Sequence, residues 1–599
     1  MAKDNKKRSP VVKPKASTSG LEVEKLNAEI ERLKKELKKR KKYGLVWEEK
    51  PEELVEMCKE KLPVLKEVKN KEIITDKNKP VNLLIEGDNY HSLSVLNYTH
   101  NKAVDVIYID PPYNTGNKDF IFNDKYVDPE DGYRHSKWLS FMEKRLRLAK
   151  NLLKDSGAIF ISIDDNEMAQ LKLLMDNPDL FGELNFVTKF VWEKTQHFGR
   201  QAKNYYSNCE YILVYARKLY QGELKELLVE SIKSEFEDAP LYNASNRENK
   251  LVFPAGKVIF NLKDGIYSKT SDGKYKLFDK VIVKNGKNRN DLILSFKSRW
   301  AQKTINEEIK KGAKFWVKSE NFAIRVIYGK GRLFRDSPKQ IIFTNRNNPF
   351  VASDRFGNNV GTTEEGSAEL KEIIGEQNLF NYPKPTSLIR YLLSLYFDRI
   401  KGEYKKDFIV LDFFAGTGTT GQALLELNNK KDGVNHQFIL VTNNENNICT
   451  DICYPRVKKV ITGYVGKVSG SKFSGLGGNL KYFKTDFVDY DEPTDRNKVK
   501  LTEQATEMLC VKEGTFKKVL DKKSFKIFKN SNHYTGIIFD QAAIPAFKKA
   551  VKDIKAKFSV YVFSLGDETF DDEFKDIKQK VKLSPIPEAI LRVYRRIFR

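Results

Sequence analysis

The near-continuous apolar run Val104–Ile109 stops at Asp110. Two prolines, Pro111 and Pro112, follow at once, then Tyr113, Asn114, Thr115 and Gly116. A run this short and apolar predicts a strand buried on both faces, which belongs in a parallel sheet covered by helices. Proline fixes φ and restricts its predecessor, so the loop after the strand is stiff. Such a loop lies at the carboxyl end of a strand, where open α/β sheets bind ligands. Pro112 has a carbonyl and no N–H, so its backbone only accepts hydrogen bonds. A carboxylate, an accepting carbonyl and a tyrosine ring suit a planar base with an exocyclic amino group. Two acceptors can take the two amino hydrogens while the ring stacks on the base. The plainer alternative is a rigid turn with Asp110 capping the next element.

The surrounding pattern repeats the strand–helix rhythm. Residues 82–85 read as a strand ending in Gly87-Asp88-Asn89. A helix with Trp138, Leu139, Met142, Leu146, Ala149 and Leu153 on one face precedes a strand at 158–163, which ends at Asp164-Asp165. These are βαβ units of a parallel sheet. The rhythm returns near residue 371, with a helix at 388–397, a strand at 408–411, a glycine loop, a helix at 422–427 and a strand at 438–441. That second loop is Asp412-Phe413-Phe414-Ala415-Gly416-Thr417-Gly418-Thr419-Thr420-Gly421. Gly416-x-Gly418-x-x-Gly421 matches the dinucleotide fingerprint in letters, and no Gly-Lys-Ser/Thr follows to make it a Walker loop. Its glycines allow close backbone approach to a ligand. The alternative is a tight strand–helix turn with structural glycines.

Between the two stretches, residues 196–370 are rich in turn dipeptides such as Asn285-Gly286 and in short alternating runs, which predicts an inserted, strand-rich domain. Residues 1–20 read as a disordered basic tail and 21–80 as an N-terminal helical region. The stripe Val23, Leu26, Ile30, Leu33, Leu37 in that region is about two heptads long, short for a coiled coil. Residues 81–195 and 371–465 form the two halves of the α/β domain. Residues 466–599 are a linker and a C-terminal unit for dimerisation or partner binding.

The net charge of +25 points to a polyanionic partner, while 40% hydrophobic and 12% aromatic residues exclude a mainly disordered chain. No run of about 18 apolar residues offers a membrane span. The basic N-terminus lacks the apolar core of a secretory signal. Five scattered cysteines fit a reducing cytoplasm. Cys449 and Cys453 have no second Cys/His pair nearby, so no metal site is expected. His135 reads as structural.

Taken together, Asp110-Pro111-Pro112-Tyr113 upstream of Phe414-x-Gly416-x-Gly418, with a large insert between, resembles the β-class amino-methyltransferases of DNA. Several further segments resemble the modification (Mod) subunit of type III restriction–modification systems. They are Gly87-Asp88-Asn89, His135-Ser136-Lys137-Trp138-Leu139, the strand from Gly157 to Asp165, Tyr382-Pro383-Lys384-Pro385, and Gln437 to Thr442. The resemblance implies a Rossmann-like S-adenosylmethionine-dependent methyltransferase sheet, permuted with its catalytic half first. It implies adenine N6 as the target. Asp110, Pro111, Pro112 and Tyr113 would be catalytic. Phe414, Ala415, Gly416 and Gly418 would line the cofactor loop, with Asp412 at its base and Asp88 near the cofactor adenine. Lys384 and Ser387 would fall near the amino-acid end of the cofactor. Many relatives carry an acid after the strand at 438–441 to hold the ribose; here Thr442 and Asn443 stand there and Glu445 is the nearest acid.

The insert matches the family's target recognition domain in position. Its basic, aromatic-interleaved stretch offers Arg289, Arg299, Trp300, Lys314, Arg325 and Arg332 for double-stranded DNA, lysine suiting phosphates and arginine base edges. For any single residue, an ordinary solvated basic face is the competing reading. The resemblance also implies a homodimer and a restriction helicase–nuclease (Res) partner. Alternatives are a solitary adenine methyltransferase, an RNA N-methyltransferase, or a non-catalytic DNA-binding subunit.

Overall fold

The computed structural model describes residues 47–599 except 77–78, 117–118, 124, 198–204, 220–227, 234–237, 272, 328–332, 347, 349–350, 355, 376–381, 399–406, 430–433, 491–494, 532, 567, 569, 578–580 and 599. The expected tail and the helical stripe at 23–37 lie outside the described residues. The chain divides into Met1–Glu48 and Glu49–Arg599, and every element named below belongs to the second unit.

An eleven-stranded sheet forms the centre. In chain order its strands are β1 (Lys61–Glu67), β2 (Ile73–Ile74), β3 (Val81–Glu86), β4 (Val104–Ile109), β5 (Leu153–Ile163), β6 (Phe186–Glu193), β7 (Cys209–Ala216), β8 (Ile341–Ile342), β9 (Ile409–Asp412), β10 (Gln437–Thr442) and β11 (Asn479–Asp489). Their spatial order is β1-β11-β3-β10-β9-β4-β5-β7-β6-β8, with β2 also on β11. From β11 to β5 all neighbours are parallel. Strand β7 runs antiparallel to both β5 and β6. The sheet has the expected Rossmann-like order, with strands β9 and β10 of the second half inserted between β4 and β3 of the first.

Helices cover both faces because their apolar stripes match the sheet. Strand β4 is buried at every position. Helix α2 (Arg134–Leu152) buries Trp138, Leu139, Met142, Leu146, Ala149 and Leu152, and burial of each leucine or methionine among them contributes roughly 1.5–3 kcal/mol. Helix α1 (Asn89–Thr99) starts where the Asp88 carboxylate accepts from the N–H groups of Tyr90 and His91 at 2.7 and 3.3 Å. Helices α3 (Thr386–Phe397) and α4 (Thr419–Asn428) follow the Lys384 segment and the glycine loop.

Three boundaries differ from the sequence reading. The described part of 21–80 is not helical throughout, because Leu62, Val64 and Leu65 bury in β1, which pairs antiparallel with β11. Pro63 is tolerated there because β1 is an edge strand, with no ladder partner on its outer side among the described residues. The expected linker at 463–478 contains a two-stranded hairpin, Gly463–Val465 with Lys472–Ser474, and leads into β11 of the central sheet. The boundary at 196 cuts the sheet, since the apolar run in β7 is buried between β5 and β6.

The insert proper has its own core around Phe253, Phe260, Phe296 and Phe315, beneath a seven-stranded and a three-stranded sheet. Asn285 and Gly286, both at positive φ, make the tight hairpin turn between Val281–Lys284 and Lys287–Asn288. The C-terminal unit is a five-stranded sheet with a separate core around Phe525, Phe547 and Phe558. Its last helix, Glu588–Phe598, anchors to the central sheet through the Tyr594 hydroxyl, which donates to the Pro63 carbonyl. No described helix is long and apolar enough to cross a membrane.

Candidate active site

The parallel strands deliver their acids to one edge. Asp88, Asp110, Asp164 and Asp412 stand at or just beyond the carboxyl ends of β3, β4, β5 and β9. Leu411 pairs with Ile107 and Thr442 with Glu86, so the two loops separated in sequence meet side by side. Strand β7 is antiparallel, so its first residues reach the same edge and bring Glu210 beside Asp110. A cleft of about 2400 Å³ runs along this edge. That is more than the roughly 300–1,000 Å³ of an ordinary small-molecule pocket, and leaves room for more than one ligand.

At one end lies the Asp-Pro-Pro-Tyr loop. Both Asp110 carboxylate oxygens accept from the Lys384 ammonium, at 3.0 and 3.1 Å. Asp110 Oδ1 also accepts from the Tyr113 hydroxyl at 2.8 Å. That hydroxyl lies 3.1 Å from Glu210 Oε2, which is 3.2 Å from Lys384 Nζ, and Lys194 donates to Glu210 Oε1 at 3.2 Å. Burial alone would raise the Glu210 carboxyl, yet Lys384 and Lys194 hold it below the ordinary glutamate range. Burial opposes the charge on Lys384, but Asp110 and Glu210 hold its ammonium above the usual lysine range. Burial, then Asp110 and Glu210, push the Tyr113 hydroxyl far up, so it stays a donor. The Pro112 carbonyl accepts from Trp138 Nε1 at 2.7 Å, which fixes its direction and leaves its second lone pair for another donor.

The loop is clamped from behind. Asn114 sits at φ 57, the left-handed region asparagine tolerates. Its side chain donates to Glu167 Oε1 at 2.6 Å, and His135 Nδ1 lies 2.7 Å from the same oxygen. Glu167 is fully buried and its Oε2 has no hydrogen-bond partner among the described residues. Burial pushes its carboxyl up to about 8.

The other end of the cleft suits a nucleoside. Phe414 and Gly416 border it, and a Cβ on Gly416 would meet only the Phe414 carbonyl at 3.8 Å, so that backbone faces open space. Phe120, Phe141 and Phe414 form an aromatic wall, with centroids 5.2 and 6.0 Å apart. Arg145 is wholly buried behind it, 3.6 Å over the Phe141 ring, and donates to Glu52 at 2.6 and 2.9 Å and to Asp88 at 3.4 Å. Glu445 stands exposed on the cleft wall, accepting from Tyr126 at 3.3 Å. Open glycine backbone, an aromatic wall and the carboxylates Asp88 and Glu445 fit the adenosine part of S-adenosylmethionine.

Not every expected residue reaches the cleft. Asp412 is buried, bonded to the Phe414 N–H at 3.0 Å and the Thr420 hydroxyl at 2.5 Å, so it shapes the loop from inside; burial raises its carboxyl to about 7. Ala415 is buried too, and Gly418 packs on helix α5 (Tyr454–Thr462) and the turn before it. A Cβ there would lie 3.1 Å from Cys453 Sγ and 3.3 Å from Val457. Ser387 Oγ accepts from the Gly361 N–H at 2.8 Å, away from the cleft. Arg456, also missed by sequence reading, is buried and donates to Thr417, Thr419 and Thr386 at 2.8–3.2 Å, tying the glycine loop to the Lys384 segment. In the insert, Arg289, Arg299 and Lys314 are exposed, Trp300 packs against the domain core, and Arg325 is half-buried opposite Trp316. None of these lines the cleft. Arg332 lies outside the described residues. No group of acids, histidines and cysteines among the described residues could hold a metal ion.

The profile of a DNA methylase family, the N6/N4 methyltransferases, matches residues 104–453. The chain is 33% identical over 403 residues to the type III restriction-modification enzyme StyLTI Mod subunit of Salmonella typhimurium, covering 63% of this chain and 55% of that one. It is 32% identical to the EcoPI Mod subunit of Escherichia phage P1, covering 61% and 58%. It is 31% identical to the type II methyltransferase M.KpnI of Klebsiella pneumoniae, covering 61% and 82%. The chain thus spans little more than half the length of the two Mod subunits. The family match takes in both loops at the sheet edge and more than half of the sequence: the chain belongs to the N6/N4 DNA methylase family.

Proposed function

We propose that the protein is a site-specific DNA adenine N6-methyltransferase using S-adenosylmethionine, and the modification subunit of a type III restriction–modification system. The observation that carries this reading is the meeting of Asp110-Pro111-Pro112-Tyr113 with Phe414–Gly416 along one cleft. S-adenosylmethionine supplies an electrophilic methyl group on sulfur. Phe414, Gly416, Phe141, Asp88 and Glu445 would hold its nucleoside, Glu445 taking the ribose role, and Lys384 faces the catalytic end.

The target adenine leaves the duplex and stacks on Tyr113. Its amino group donates to the Asp110 carboxylate and to the free lone pair of the Pro112 carbonyl. Those bonds hold the nitrogen lone pair out of conjugation with the ring and aimed for transfer. Asp110 takes the departing proton only once the N–C bond forms, so no strong base is required. The site works by positioning and preorganised electrostatics. The exposed basic residues of the insert would track the duplex, and the C-terminal unit would serve dimerisation or a Res partner. All five cysteines are free, which favours a reducing cytoplasm. Single-molecule sequencing of DNA from cells expressing the protein should show N6-methyladenine at one motif; its absence would refute the reading. The M.KpnI likeness, which spans most of that protein, favours a second reading without a Res partner. Copurification with a neighbouring helicase–nuclease separates the two.

A further inference from the structure

Asp110 is crowded as it stands. Its Oδ1 accepts from both Tyr113 and Lys384 and its Oδ2 from Lys384, so only one of its acceptor positions remains for the adenine amino group. Both donors have a second acceptor in reach without moving their chains: Glu210 Oε2, 3.1 Å from the Tyr113 hydroxyl and 3.2 Å from Lys384 Nζ. We infer that Glu210 is a positioning residue that takes Tyr113 and Lys384 over from Asp110 when the substrate amino group arrives. This rests on the methyltransferase reading above.

The geometry explains why a second carboxylate is buried there. Without Glu210, an amino group approaching Asp110 would meet a lysine and a tyrosine bound to the same oxygens. Freeing Asp110 would leave a buried ammonium and a buried hydroxyl unpaired, each at a large desolvation cost. With Glu210 present, a rotation of the hydroxyl and a small shift of the ammonium complete the exchange. Lys194 anchors Glu210 from its other oxygen, so the acceptor does not swing into the cleft. Other titratable groups facing this cluster are Asp164 at the end of β5, Asp412 at the end of β9 and Tyr108 within β4. During transfer the C–S bond breaks and the N–C bond forms. The proton leaving nitrogen goes to Asp110, which no longer shares its oxygens with the Lys384 ammonium once that has turned to Glu210.

The test is single-turnover methyl transfer to duplex DNA by the full-length protein, followed with labelled methyl donor. Glu210→Gln should slow transfer about 10- to 100-fold, as misplacing a reacting group does, with the donor's KM within about twofold. Glu210→Asp, which restores the carboxylate a methylene short, should recover part or all of the rate. A merely structural role would lower thermal stability and weaken donor binding together with the rate. If Glu210→Gln does not fold, Lys194→Met, which releases Glu210 from its anchor, decides with the same readouts. A wild-type rate in Glu210→Gln, or in Lys194→Met where that variant decides, would overturn the inference. An inactive wild-type enzyme would instead overturn the proposed function.

Discussion

Glu167→Gln isolates the clamp behind the catalytic loop. The Glu167 carboxyl sits at about 8 in the folded protein against an ordinary 4.5, chiefly through burial. A carboxyl raised on folding prefers its neutral form there. Its contribution to stability is therefore intact below about pH 4.5, declines as pH rises, and is fully lost above about pH 8. At 1.36 kcal/mol per unit the ceiling is about 5 kcal/mol. His135 on its flank is 39% exposed and admits solvent, so about 2–4 kcal/mol is the working figure. Glutamine keeps Oε1 as acceptor for Asn114 and His135 and removes the charge. It places an unpartnered amide where Oε2 lies, costing about 1 kcal/mol at every pH. Thermal unfolding of both proteins from pH 4.5 to 9 should give curves that cross: the variant slightly less stable at the acid end, and more stable by several degrees at pH 9. Parallel curves would mean that Glu167 does not titrate in this window, and the account of the clamp would fail.

Four further outcomes follow from the same contacts. Asp110→Ala should lower methyl transfer by about 10³-fold or more in a labelled-methyl assay while the donor still binds, since it removes the principal acceptor at the reacting nitrogen. Trp138→Phe keeps the packing and loses the bond to the Pro112 carbonyl, so the rate should drop roughly tenfold with donor affinity unchanged; donor affinity measured by calorimetry separates the two. Glu52→Gln uncouples the buried Arg145 and should destabilise the protein by about 3–5 kcal/mol in urea unfolding, with weaker donor binding through the displaced Phe141 wall. Single alanines at Arg289, Arg299 and Lys314 should each reduce the slope of log K against log salt for duplex binding by about one where they meet phosphate. A slope identical to wild type in all three would remove the insert face they share from the DNA path.

The sequence disclosed the frame of the site and hid its supports. The two loops were legible because each combines a short apolar run with residues that restrict or free the backbone. Those signals are local. Glu210 left no local signal: it is one acid at the head of an ordinary strand, and only the antiparallel direction of β7 carries it to the catalytic edge. Placing the insert boundary at 196 put it in the wrong domain. Arg145 and Glu52 carry no local signal either, because their burial depends on a partner 93 residues away. Trp138 was legible as a core residue, but its N–H has a direction that periodicity does not encode. Gly418 failed the opposite way: a fingerprint glycine that serves helix packing, while Gly416 faces the cleft.

The placement of β9 between β4 and β10 has a consequence for synthesis. About 300 residues separate Ile109 from Ile409 in the chain. At roughly 5–20 residues per second, a ribosome needs about 15–60 s to bridge them. For that interval β4 has emerged with one apolar edge unpaired, while the insert, with its own core, can already fold. The sheet closes only after β9 and β10 slot in, and its outer strand β1 waits longer still, for β11. The nascent protein therefore passes through a state with an open, adhesive sheet edge, and chaperone occupancy during translation should concentrate on ribosomes between those two strands.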